Sequence, residues 1–128
     1  MNKCKNKLYE GENLKDFREL VNRYENRYAN KIAFEYKDDP KATTHHEISY
    51  QEFANDIKAL GTALLSLNLQ DKKVALIAPN CYEWCTSYLA ITTSNISIVP
   101  LDKSLPENEI KNLIHRSKVD AVIFDEKY

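Results

Sequence analysis

Lys73-Val74-Ala75-Leu76-Ile77-Ala78-Pro79-Asn80 is apolar without a break from Val74 to Pro79. A strand with one wet face alternates apolar and polar residues, whereas a strand buried on both faces reads as a continuous apolar run. Two more apolar-rich runs follow, Ile96 to Val99 and Val119 to Phe124, each with one polar residue inside it, Ser97 and Asp120. Helix-length segments separate them. Asn80 opens the first, with Glu83 three residues on, and Ser104 opens the second, with Glu107 three residues on and Pro106 in the first turn. That spacing matches helix starts, where a short polar side chain and a following Glu satisfy free backbone N–H groups. Short two-faced apolar runs alternating with helices predict βαβαβ, an α/β fold whose parallel sheet is covered by helices on both faces.

Working outward, Ser49-Tyr50-Gln51-Glu52 has the pattern of a capping box, in which the Ser and Glu side chains each accept from the other's backbone N–H. The helix it opens places Phe53, Ile57, Leu60, Leu64 and Leu67 on one stripe, and Asn68 stands where a left-handed residue commonly ends a helix. Further upstream, Asn13 is the expected cap of a first helix with Asp16 in its first turn, its apolar face formed by Leu14, Phe17, Val21, Tyr24 and Tyr28. Ile32 to Tyr36 reads as a strand, Asp38-Asp39-Pro40 as a turn, and a second short strand ending near Ile48 completes a hairpin. The chain thus divides into a helix and hairpin over residues 1–50 and an α/β part over 51–128, a single segment without repeats or linkers.

Composition narrows the function classes. Eighteen Lys and Arg are interleaved with nineteen Asp and Glu, so no basic stripe is available for nucleic acid or an anionic membrane. Three cysteines, Cys4, Cys81 and Cys85, are an odd number in a chain that can build its own core, which favours free thiols in a reducing compartment. Met1 to Lys7 is basic, but no apolar stretch follows it as in a signal peptide, and no apolar run is long enough to span a bilayer. The expectation is a cytoplasmic protein.

A phosphate cradle on a βα unit needs a turn whose backbone N–H groups can approach the anion, and glycine usually supplies it. The two glycines, Gly11 and Gly61, do not follow a parallel strand, and the turn Ala78-Pro79-Asn80 loses a donor at Pro79. Cys81 and Cys85 share a helix face at i, i+4, but no second ligand pair accompanies them; they read as buried thiols packing as small hydrophobes. His45 and His46 fall in the hairpin and point to opposite faces, and His115 suits the C-terminal end of its helix as a cation. Asp102, just past the strand ending at Pro100, is the best isolated candidate for a site residue, with a turn-stabilising role as the alternative. Residues alone therefore assign no catalytic, cofactor-binding or metal position.

Several of these segments, in this order, are similar to the adenylate-forming superfamily. Ile48-Ser49-Tyr50-Gln51-Glu52-Phe53 resembles its threonine-tyrosine-x-glutamate-leucine motif, and Thr93 to Asp102 resembles alanine-glycine-x-x-x-valine-proline-leucine-aspartate. Lys72 to Asn80, Glu83-Trp84, Tyr88-Leu89-Ala90 and Leu105 to Ile110 are similar to bacterial long-chain fatty acid CoA ligases, and the likeness extends over residues 8–128. Ser94-Asn95 and Asn68 stand where the family often has glycine, so either Ser94 or Asn95 accepts a strained or left-handed turn or the turn differs here.

The resemblance implies a parent enzyme that activates a fatty acid carboxylate with ATP and Mg²⁺ and transfers the acyl group to coenzyme A. The family's phosphate loop, its acyl and adenine pockets and its catalytic Lys are expected beyond these residues. This segment is then a scaffold, inactive by itself, with none of those cofactors of its own. A stand-alone α/β interaction module without catalysis remains the alternative. A last strand with a bare edge predicts a homo-oligomer.

Overall fold

The computed structural model describes residues 13–127, so Cys4 and the start of the chain lie outside the described residues. The elements are α1 (Phe17–Arg27), β1 (Ile32–Tyr36), β2 (His46–Ser49), α2 (Tyr50–Ser66), β3 (Lys73–Ile77), α3 (Tyr82–Thr93), β4 (Ser97–Pro100), α4 (Glu107–Ser117) and β5 (Ala121–Phe124). β1 and β2 form an antiparallel pair, with a register shift between Ile32 and Phe34. The parallel sheet has the order β4-β3-β5, so the chain moves from β3 to β4 on one side and then crosses over β3 to reach β5 on the other. The register pairs Val74 with Ile98 and with Ala121, and Leu76 with Pro100 and with Ile123.

Alternation along β5 shows how the sheet is covered. Ala121 and Ile123 pack toward the cluster of Leu64, Val74, Ile91 and Ile96 on the α2–α3 side. Val122 and Phe124 instead line a crevice with Ile110 and Ile114 of α4. The two covers are unequal, since α2 and α3 bury residues completely and α4 buries none.

The capping box forms as the sequence predicts. The Glu52 backbone N–H donates to Ser49 Oγ at 3.2 Å, and the Ser49 backbone N–H donates to the Glu52 carboxylate at 2.8 Å. The Ser49 hydroxyl also donates to that carboxylate at 2.8 Å, and the two Ser49 donors hold the Glu52 pKa below its ordinary value, the backbone N–H contributing most. Ser49 is at once the last residue of β2 and the cap of α2, so the hairpin passes into the helix without a loop.

Other helix starts differ from expectation. Asp16, not Asn13, caps α1: its carboxylate accepts from the Glu19 N–H at 2.9 Å, which leaves Asn13 and Leu14 ahead of the helix and Tyr28 at its C-cap. α3 begins after Cys81 rather than Asn80, and its cap makes no side-chain hydrogen bond. Pro106 is the N-cap residue of α4 because the Ser104 hydroxyl, expected there, donates to Asp102 Oδ1 at 2.7 Å instead. Strand bounds also move: Ala78, Ile96, Val119 and Asp120 lie outside the strands. Asn68 adopts the left-handed backbone expected of it and, of the pair Ser94-Asn95, Asn95 takes that conformation, each with φ 59°, while the same conformation at Asp71 (φ 60°) and Lys118 (φ 52°) was not foreseen.

Two apolar clusters meet on α2 and α3. Val21, Phe53, Ala54, Ile57, Leu89 and Ala90 join α1 and the hairpin to the helix pair, and the second cluster joins the pair to the sheet, with Leu60 packed against both. Phe34 and Tyr82 extend the first cluster with ring centroids 4.9 and 5.1 Å apart from Phe53 and Phe34 respectively. The helices approach closely at Gly61, where a Cβ would lie 2.6 Å from Ser94 Oγ.

A helix-interior Gly→Ala change ordinarily gains about 1 kcal/mol. Gly61→Ala alone should fail to show that gain, because Ser94 must give way. Gly61→Ala in a Ser94→Ala background should recover most of it, as measured by urea unfolding of the four members of the cycle. Ile57→Ala, at a site 1% exposed, should cost about 2–5 kcal/mol in the same assay.

Candidate functional site

In open α/β sheets, ligands gather where the strands end and helices begin, because chain reversals open a crevice and helix N-termini present free N–H groups there. In this protein that region comprises the loops after Ile77, Pro100 and Phe124. Its chemistry is unfriendly to phosphate. Pro79 offers no N–H after β3, and Glu83 stands in the first turn of α3. The first turn of α4 carries Glu107 and Glu109. Carboxylates already use the positive ends of both helices, and a polyphosphate brought there would meet like charge.

Asp102 lies after β4, but it faces its own loop. Its Oδ1 accepts from the Ser104 N–H at 2.8 Å and from the Ser104 hydroxyl at 2.7 Å. These two donors hold its pKa below the ordinary carboxylate value, with a smaller contribution from the Lys103 charge. The geometry is that of a turn-closing Asp.

Cys81 and Cys85 are half-buried free thiols, and burial pushes both thiol pKa values up, which disfavours the thiolate a nucleophile or a metal site needs. Cys85 packs against the first apolar cluster. Among the described residues no group of three or more His, Cys, Asp or Glu is arranged to hold a metal ion. The Tyr82 hydroxyl donates to Asp56 Oδ2 at 2.7 Å, and burial together with that bond raises its pKa. Sequence reasoning did not anticipate this link between α2 and α3, since nothing in the spacing of residues 56 and 82 marks it.

The histidines are in the hairpin and at the end of α4, as expected. His45 Nε2 lies 2.9 Å from Glu47 and 3.7 Å from Glu35, and His46 Nε2 lies 2.7 Å from Asp38. His46 also stacks on Tyr36 with centroids 5.1 Å apart. The bond to Glu47, reinforced by the Glu35 charge, raises the His45 pKa above its ordinary value. His115 sits in the last turn of α4 with Arg116.

The comparisons with known proteins bear on what these elements belong to. Residues 21–128 match the family described as AMP-binding enzyme. A nonribosomal peptide synthetase, sirP of Leptosphaeria maculans, is 29% identical over 76 residues, covering 59% of this chain and 4% of the relative. Acyl-CoA synthetase ALT10 of Alternaria alternata is 29% identical over 84 residues, covering 65% of this chain and 15% of the relative. The chain therefore spans only a small part of these proteins. Among solved structures, the Klebsiella oxytoca NpsA N-terminal subdomain superposes with a TM-score of 0.75 at 20% identity, over 90% of this chain and 29% of that one. The anthranilate CoA ligase AuaEII, in complex with anthranoyl-AMP, gives a TM-score of 0.76 at 20% identity over 88% and 20% of the two chains. At such identity the structural likeness establishes the fold alone.

The carboxylates beside His45 set a pH prediction. Its raised folded-state pKa means that the hairpin gains from protonated His45 below the ordinary pKa near 6.5, and that the gain disappears as pH rises through the folded-state value. An NMR titration of the ring protons should place the His45 midpoint above 6.5, and Glu47→Gln should lower it, with Glu35→Gln lowering it less.

Proposed function

The chain belongs to the AMP-binding enzyme family, and on that premise we propose that it is the N-terminal scaffold of a ligase that activates a long-chain fatty acid and passes the acyl group to coenzyme A. The parent would use ATP and Mg²⁺ to form the acyl-adenylate. What supports the acyl-CoA reading is the similarity of Lys72 to Asn80, Glu83-Trp84 and Leu105 to Ile110 to bacterial long-chain ligases, together with the relative named as an acyl-CoA synthetase. Other relatives are named for peptide synthesis and for an aromatic acid, so the fatty acid is the part of the proposal most open to test.

The single observation behind the scaffold role is the electrostatics of the strand ends. Pro79 withholds a donor, and Glu83, Glu107 and Glu109 occupy the helix starts, so these residues do not fit a triphosphate and no reaction step is assigned to them. No helix among the described residues is long and apolar enough to cross a membrane. The protein is proposed to act in the cytoplasm, where ATP and coenzyme A are available and its thiols stay reduced.

The sheet edges support a second property. Among the described residues β4 and β5 each lack a strand neighbour on one side, and an unpaired edge can pair with another chain. A homo-oligomer of the chain in solution is proposed.

Two measurements test these statements. ATP–pyrophosphate exchange with dodecanoate or palmitate should be absent for this chain alone and present when the downstream reading frame is included; exchange by this chain alone would sink the scaffold role. A strictly monomeric mass by light scattering at high concentration would remove the oligomer.

A further inference from the structure

The β1–β2 hairpin is held in two different ways along its length. At its inner end Phe34 packs its ring against Phe53 and Tyr82, with centroids 4.9 and 5.1 Å apart, and Ile48 rests on the same apolar cluster. Backbone bonds from the Tyr50 N–H to the Lys31 carbonyl and from the Gln51 N–H to the Ala29 carbonyl, at 2.9 and 3.1 Å, tie that end to the start of α2. The outer residues Glu35, Tyr36, His46 and Glu47 are all exposed. Packing secures the inner half and leaves the outer half to other forces.

Those forces are electrostatic. The register sets Glu35 directly opposite Glu47, and like charges at facing positions oppose strand pairing. His45 Nε2 sits between them, 2.9 Å from Glu47 and 3.7 Å from Glu35, and His46 Nε2 reaches Asp38 in the turn at 2.7 Å. Three carboxylates thus depend on two imidazoles. Of the other charges in the turn, Lys37 Nζ donates to the Ala42 carbonyl at 2.9 Å, and Asp39 accepts from the Lys41 N–H at 2.8 Å. On α2, the helix packed against the hairpin, Glu52 bonds to Ser49, Asp56 to Tyr82 and Lys58 to Glu25. Among the described residues, every ion pair of Glu35, Asp38 and Glu47 is therefore made with a histidine.

We propose that the outer half of the hairpin is a proton-operated clasp, closed while His45 and His46 are charged and opened by Glu35–Glu47 repulsion when they are not, with the Phe34–Ile48 pair as its fixed end. The sign follows from His45, whose pKa is raised in the folded hairpin by the bond to Glu47 and then by the Glu35 charge. The clasp is fully formed below the ordinary value near 6.5 and is released as pH rises through the folded-state value. Exposed pairs are individually weak, but here two attractions disappear and one repulsion is uncovered in the same pH interval. The device uses this chain's own residues and is independent of the ligase reading.

The test is NMR of the full chain from about pH 5.5 to about pH 8, an interval in which His45 and His46 titrate while the reporters Tyr36 and Lys37 do not. The ¹³Cα secondary shifts of Tyr36 and Lys37 should move toward coil values as pH rises, with the open population growing about threefold, the scale of exposed ion pairs. Phe34 and Ile48 should stay at strand values throughout. His45→Gln should remove most of the response. Glu35→Gln combined with Glu47→Gln, which abolishes the repulsion, should keep the outer half closed at the high-pH end, and about 1 M NaCl should flatten the wild-type response. Unchanged Tyr36 and Lys37 shifts across the interval, a wild-type response in His45→Gln, or wild-type opening in the double glutamine variant would each overturn the clasp. Parallel movement of Phe34 and Ile48 would overturn it too, since the hairpin would then open as a whole.

Discussion

The contact between α2 and α3 organises the molecule. Ala54, Ala90 and Ile91 are wholly excluded from solvent and Ile57 nearly so. Small residues let the two backbones approach, and Gly61 marks the place where even a methyl group would collide with Ser94. The pair carries an apolar cluster on each side, one toward α1 and the hairpin, the other toward the parallel sheet. A loss of that contact would separate the two clusters at once, because Leu60 belongs to both. The Tyr82–Asp56 hydrogen bond adds a polar tie between the same helices, near the start of α3.

Much of this was legible in the sequence because the decisive signals are local. Val74 to Ile77 is fully buried, and a strand buried in this way must be apolar at successive positions, which is what the run at 74–79 displays. The Ser49–Glu52 box is local too, its partners three residues apart. Asn68 was readable because asparagine tolerates a left-handed backbone better than most residues, and the same preference settles on Asn95 in the pair Ser94-Asn95 that the sequence left open. Two of the misjudged helix starts trace to a second polar side chain beside the expected cap, while α3 starts after Cys81 with no side-chain cap at all. Ser104 closes onto Asp102, and Asp16 displaces Asn13.

The candidate site was less legible, for a different reason. Asp102 was singled out by its position after a strand, and its position was correct, but hydrogen bonding to Ser104 turns the carboxylate back into the loop. Where strands lie side by side depends on contacts between residues far apart in the chain, so the order β4-β3-β5, and with it the crevice beside β5, could not be read from spacing.

Asp71 and Asn95, both left-handed, hold one another at the entrances to β3 and β4. The Asp71 N–H donates to the Asn95 carbonyl at 3.0 Å, and the Asn95 side-chain amide donates to the Asp71 carboxylate at 2.5 Å. Neither residue can therefore be exchanged on conformational grounds alone. Glycine at 95 would relax the backbone yet strip Asp71 of its side-chain partner, and the reverse holds at 71. The two sites form one structural unit, in which each residue's side chain or backbone completes the turn that the other begins.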